Sequence, residues 1–327
     1  MEKIAFRKIR DFGQTISTAT AFIQQNFWVL VKSICLSALP LILFGMLGQT
    51  LCYTWGMSYL WDAEQGSPTN GLGEMGNSLG YLMMSYAFLP FTMCGQIAAL
   101  AIIYEYMRLY YHREDYYNIS PREVVKATWS NAGVYFGTFV LLYVLAFLLM
   151  VPIFLLVAFG AALFVTSMSY VGGELGSGIG VILCAIALTV FFAYIMTAIS
   201  FVFIVRIVEQ TNFFEALSRS FKLIKGNFFS TIGLYIITMF ITFSILGVPS
   251  VVAGASFGAV AFLSYTSSTL FVIIANIIYS VVYVVGIALS TLVSSFRYFS
   301  IVETKEGIGM LQKIERIGKS EASLQTA

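Results

Sequence analysis

The sequence predicts an all-α, polytopic membrane protein: a transmembrane helical bundle of six spans, with amphipathic interfacial helices on the cytoplasmic side. Of its 327 residues, 59% are hydrophobic and only 10% are charged, whereas a soluble domain carries about 25% charged residues. Six apolar runs are each long enough to cross about 30 Å of hydrocarbon as a helix. Because lipid offers backbone groups no partner, helices are the form expected for such runs.

The six apolar runs define the predicted spans. The first is expected to be a retained span, because it is longer than the apolar part of a secretory signal and lacks a clear cleavage site. The third run continues past residue 159, so the sequence does not define the outer end of this span. We predict one membrane domain over residues 1–327, with an interfacial helix at 1–26, a cytoplasmic tail at 303–327 and spans at about 27–51, 79–106, 132–159, 178–205, 231–255 and 270–296.

The distribution of basic residues predicts the orientation of the bundle. In a six-span layout all 18 lysines and arginines fall on one side, which carries both termini and the connections between spans two and three and between spans four and five. The opposite connections contain Asp62, Glu64, Glu74 and Glu174 and no basic residue. The positive-inside rule makes the basic side cytoplasmic.

Amphipathic helices are predicted directly before spans one, three and five. From Phe214 to Phe228 apolar residues recur at steps of three and four, while basic residues occupy the other face, a pattern typical of a helix on a membrane surface. The N-terminus repeats this pattern 201 positions earlier. The matching residues are Ile16, Thr20, Ile23 and Phe27, which correspond to Leu217, Phe221, Ile224 and Phe228.

A third helix of this kind is predicted to begin at Ser120, where Pro121 suits the first helical position and Glu123 completes a capping-box signature. The chain then consists of three units, each a surface helix followed by a helical hairpin. The alternative is that any helix entering a membrane at a shallow angle needs the same pattern.

The stretch from Glu215 to Phe228, which reads EALSRSFKLIKGNF, resembles the hallmark segment of a group of bacterial membrane proteins. This group includes the YciC-like proteins and the membrane domain attached to some glycerophosphodiester phosphodiesterases. Residues 11–40 are similar to the start of related proteins from Bacteroidota. The resemblance implies a six-span module of the bacterial inner membrane. The segments between the spans are too short for a phosphodiesterase domain, so the resemblance does not imply phosphodiesterase activity.

The predicted spans contain few candidate polar or substrate contacts. Glu105 and Arg108, at the cytoplasmic end of span two, have the spacing of an ion pair within one helix; the alternative is a polar mouth for a headgroup or ion. Asn276 and Gln96 favour hydrogen bonds between helices, with substrate contact as the alternative. The chain has one histidine, His112, and no catalytic motif, so we expect no catalytic residues, metal or cofactor.

These features favour a non-enzymatic inner-membrane protein that binds lipid or a partner in envelope or membrane homeostasis. The expected partners are membrane lipids, with another membrane protein or a second copy as the alternative. Nucleic acid is not expected, because the net charge is only +2. A transporter or channel for a small or amphipathic solute is the competing hypothesis, since repeats build many transporters. Predicted contacts to anionic headgroups are Arg219, Lys222, Lys225, Arg122 and Lys126.

Overall fold

The computed structural model describes residues 3–64, 71–113, 116–149, 160, 189–262 and 265–307. Within these ranges the chain is almost entirely α-helical and contains no β-strand. Six helical segments are long and apolar enough to cross a membrane. The all-α class and the six spans are therefore confirmed.

Within the described residues, the connections between successive helices are short. The bounds of the helices are α1 (Phe12–Gln25), α2 (Phe27–Glu64), α3 (Gly71–Ala87), α4 (Leu89–His112), α5 (Pro121–Ser130), α6 (Ala132–Leu149), α7 (Thr189–Val208, with one irregular turn at Phe201), α8 (Phe213–Ile224), α9 (Phe228–Phe262) and α10 (Tyr265–Glu306).

Each predicted span overlaps one apolar segment, but several ends differ. The connection between spans one and two, predicted as a loop over 53–78, is largely helical, because α2 continues to Glu64 and α3 begins at Gly71. The outer ends of spans three and four fall outside the described residues. The apolar segments are Phe27–Gly56, Gly76–His112, Ala132–Leu149, Thr189–Val208, Phe228–Ile245 and Asn276–Glu306.

Proline has different effects in the second span and the first. The second span is divided at Phe88, and Pro90 lies in the first turn of α4, where its missing N–H is tolerated. In contrast, α2 stays helical across Pro40.

Backbone contacts divide the chain into two compact units, Met1–Ala132 with Tyr235–Ala327, and Gly133–Leu234. In the larger unit α2 packs against α3, α4, α5 and α10, and α1 packs against α10. In the smaller unit the last turns of α7 pack against α8. One membrane domain for the whole chain stays a prediction.

Glycines bring α2 and α4 into close contact in the larger unit. A Cβ on Gly45 would stand 2.5 Å from the backbone nitrogen of Thr92, and one on Gly95 would stand 2.8 Å from that of Ile42. Small residues allow such an approach of two membrane helices. This contact fixes the position of α4, whose last turns carry Glu105 and Arg108. We call the end of a span that adjoins the lysines and arginines in the sequence its basic end.

Candidate functional site

The carboxylate of Glu105 is the centre of a hydrogen-bonded group at the basic end of α4. Its side chain is only 2% exposed. Oε1 accepts a hydrogen bond from Nη1 of Arg108 at 3.4 Å and another from Nδ2 of Asn131 at 2.7 Å. The ion pair expected from the sequence is present, and it satisfies the need of a buried charge for a partner. Asn131, between α5 and α6, is a partner that the spacing did not indicate.

The neighbouring residue, Tyr106, makes a similar link to the first surface helix. Its hydroxyl donates to Oδ1 of Asn26 at 2.6 Å, and Nδ2 of Asn26 donates to the carbonyl of Phe22 at 2.9 Å. Asn26 is the residue between α1 and α2. Two consecutive residues of α4 therefore hold the points at which α1 and α5 pass into their spans.

The Tyr106–Asn26 hydrogen bond makes a testable contribution to stability. Tyr106→Phe should lower the free energy of unfolding by about 1–3 kcal/mol, because the buried acceptor on Asn26 loses its donor. Thermal unfolding in detergent measures this loss, and Tyr86→Phe, whose ring is 68% exposed, is the matched control. Combining Tyr106→Phe with Asn26→Ala should cost less than the sum of the two single changes. Strict additivity would mean that the two side chains do not interact.

Arg10, by contrast, is a buried structural cation. Its Nη1 donates to the carbonyls of Phe6 at 2.9 Å and Lys8 at 3.3 Å, and its guanidinium stands 5.2 Å from the centre of the Phe296 ring. Burial lowers the pKa of Arg10, although an arginine stays protonated at neutral pH. The buried Arg10 side chain therefore holds the N-terminal segment in place and is not accessible from the surroundings.

The surface helices α1 and α8 bury corresponding positions, 201 residues apart. Thr15, Ala19 and Phe22 are buried in α1, and their counterparts Ala216, Ser220 and Leu223 are buried in α8. The apolar sets identified in the sequence lie mainly one position later. Phe214, for example, is 75% exposed. The buried side combines the small Ala19, Ala216 and Ser220 with the large Phe22 and Leu223, while other large apolar side chains such as Phe214 face outward.

The predicted headgroup contacts divide into two groups. Arg122, Lys126, Lys222 and Lys225 are exposed. Arg219 is only half-buried, but its Nε donates to Oε1 of Glu209 at 3.3 Å. The neighbouring carboxylate of Glu209 thus partly neutralises the charge of Arg219.

Exposed aromatic rings lie within four residues of exposed cations where α1, α5 and α8 lead into the next helix. Trp28 is 69% exposed and precedes the exposed Lys32 by one helical turn. Trp129 is 58% exposed and follows Lys126, and Phe229 is 82% exposed and follows Lys225. In the sequence, aromatic residues next to the end of an apolar run are the signal for such rings.

The other two candidate residues lie away from Glu105. Oδ1 of Asn276 accepts a hydrogen bond from the Thr50 hydroxyl at 3.0 Å and so joins α10 to α2. Gly45 of α2 lies opposite Thr92 of α4. Thr50 follows Gly45 towards the outer end of this helix pair, whereas Glu105 follows Thr92 towards the basic end. Gln96 is half-buried on α4, and its amide makes no hydrogen bond within the described part of the chain.

The chain matches no protein-family model, no curated protein and no solved structure. Among the described residues, no three histidine, cysteine, aspartate or glutamate side chains are grouped as metal ligands. Fold and composition define the class: this is a multi-pass α-helical membrane protein. Short helices, α1, α5 and α8, directly precede three of its six candidate spans.

Proposed function

We propose that this is a non-enzymatic protein of the bacterial inner membrane, with both termini in the cytoplasm, that binds anionic phospholipid headgroups in membrane homeostasis. One observation carries the proposal: where α1, α5 and α8 lead into the next helix, an exposed aromatic ring lies within four residues of an exposed cation along the chain. The three pairs are Trp28 with Lys32, Trp129 with Lys126 and Phe229 with Lys225.

The chemistry of the membrane surface explains why this arrangement favours lipid. Tryptophan rings concentrate at the level of the headgroups, and phenylalanine is typical of the apolar face of a helix in this plane. Each lysine or arginine near an anionic leaflet contributes about 1 kcal/mol of attraction. A helix that lies in this plane presents both kinds of side chain at once. The basic side of the chain is the cytoplasmic side under the positive-inside rule, and the resemblance noted above agrees with an inner-membrane location.

A transporter or channel is the alternative, and the surroundings of its candidate residues favour it less. Glu105 is bonded to Arg108 and Asn131, and Asn276 is bonded to Thr50. Hydrogen bonds of this kind join helices to one another. Proteoliposomes that pass a small solute faster than empty liposomes, and lose that flux with Glu105→Gln, would support transport instead.

Lipid selectivity tests the proposal directly. Replacing Lys126, Lys222 and Lys225 by glutamine should lower the preference for phosphatidylglycerol over phosphatidylcholine by about twofold or more, because three headgroup attractions are lost. Spin-labelled lipids measure this preference in the lipid shell around the reconstituted protein. The matched control replaces the same lysines by arginine and should keep the preference. An unchanged preference in the glutamine variant would refute the lysines' role.

A further inference from the structure

Arg206 lies in the last turn of α7, at the basic end of the smaller unit, and reaches across to α6. Its Nη1 donates a hydrogen bond to Oγ1 of Thr138, which is buried. The hydroxyl of Thr138 donates in turn to the carbonyl of Val134. Because the threonine proton is directed at the backbone, the oxygen is left as an acceptor, and it holds the guanidinium in one orientation.

The direction of this side chain is unusual for a basic residue in a membrane helix. Arg206 stands two residues before the end of α7, about 3 Å along the helix axis. Thr138 stands six residues after the start of α6, about 9 Å along that axis. Arg206 is therefore bonded to a hydroxyl nearly two turns inside α6 and not to a group at the helix end. Basic side chains near helix ends ordinarily extend outward to water.

Within the described residues no carboxylate pairs with Arg206, whereas Arg108, Arg113 and Arg219 pair with Glu105, Glu123 and Glu209, respectively. A guanidinium has five N–H donors, and Thr138 takes one of them. A half-buried cation at this depth calls for an anion or water on its remaining donors.

We propose that Arg206 and Thr138 form a binding site for a phosphate group, with a phospholipid as the source. The planar guanidinium matches two oxygens of one phosphate. Val134 and Leu141, which flank Thr138 on the same face of α6, are 39% and 40% exposed. They offer an apolar surface to an acyl chain below the headgroup. The site deepens the proposed function and rests on it: it adds one defined lipid to the general attraction of the surface lysines.

Native mass spectrometry of the full chain, released from detergent with added lipid, tests the site. The probes are phosphatidylglycerol, diacylglycerol, which lacks the phosphate, and inorganic phosphate. The wild type should bind one phosphatidylglycerol more tightly than any further molecule and should not bind diacylglycerol in this way. Arg206→Gln should weaken this first binding about tenfold. Arg206→Lys keeps the charge without the planar fork and should give an intermediate loss, as should Thr138→Val.

Three outcomes would overturn the inference. The first is that both Arg206 variants bind the first phosphatidylglycerol as tightly as the wild type. For this comparison each variant must elute as a single species and melt cooperatively. The second is equally tight binding of diacylglycerol, which would remove the phosphate from the recognition. The third is displacement of the lipid by millimolar inorganic phosphate, which would make a soluble anion the ligand and overturn the lipid as its source.

The lysine variant described above separates this inference from the proposed function. The glutamine changes at Lys126, Lys222 and Lys225 should reduce selectivity in the lipid shell and leave the first tight binding intact. Arg206→Gln should do the reverse. If only the lysine variant lost the tight binding, the Arg206 site would be overturned. If the lysine variant kept its lipid selectivity, the proposed role of the surface lysines would be overturned, but the Arg206 site would not be affected.

Discussion

Gly45→Ala is expected to destabilise the larger unit by about 1–3 kcal/mol, because the added methyl group meets backbone. It would stand 2.5 Å from the nitrogen and 2.9 Å from the Cα of Thr92. Rotation of a side chain cannot relieve a contact with backbone, so α2 and α4 must move apart. Their separation would also disturb Glu105, which is carried on α4. Thermal unfolding of the purified chain measures the loss.

A second glycine in the same unit provides the control. Gly80 on α3 has no atom within 4 Å of its Cβ position, and alanine is the better helix former by about 1 kcal/mol. Gly80→Ala should therefore leave stability unchanged or raise it. Equal melting temperatures for the Gly45 and Gly80 variants would contradict the close packing of α2 against α4.

Glu105→Leu is expected to cost about 1.5–3 kcal/mol, the range for hydrogen bonds that involve a charged group. Removal of the carboxylate takes the acceptor from both Arg108 and Asn131. Asn131 would then no longer hold the junction of α5 and α6 against α4. Glu105→Gln keeps an oxygen of the same size and should cost less, since Asn131 still finds an acceptor.

Protection of the backbone from hydrogen exchange shows where the effect of Glu105→Leu falls. Exchange should rise in α5, which is attached through Asn131, more than in α1, which is attached through Tyr106. Tyr106→Phe should give the opposite order. An identical, uniform rise in both variants would mean that the two junctions are not held separately.

The sequence predicted the spans because their signals are local. An apolar run of sufficient length identifies a membrane helix without any knowledge of its neighbours. The capping signature at Ser120 is equally local, and its hydroxyl accepts the N–H of Glu123 as expected. The Glu123 carboxylate departs from the signature, since it pairs with Arg113. Whether Glu123 completes the capping box or pairs with Arg113 depends on where the chain after α4 places Arg113.

The links between helices were less accessible to sequence reasoning. Glu105 and Arg108 lie three residues apart, so a helix alone predicts their pairing. Glu105 and Asn131 are 26 residues apart, and Arg206 and Thr138 are 68 apart. Contacts of this range depend on how the hairpins pack. The apolar spacing of α1 and α8 does not by itself show which side packs against the protein, because the buried side also uses the small residues Ala19, Ala216 and Ser220.

The central claim is that the surface helices and the basic ends of the spans share the cytoplasmic face. Labelling of single cysteines tests it most directly, in a background where Cys35, Cys52, Cys94 and Cys184 are replaced by alanine. Suitable exposed positions are Asn77 at the outer end of span two, Ser130 on α5 and Ser218 on α8. A membrane-impermeant maleimide applied to intact spheroplasts should label Asn77→Cys alone, and all three variants after lysis. Labelling of Ser130→Cys or Ser218→Cys before lysis would contradict the account.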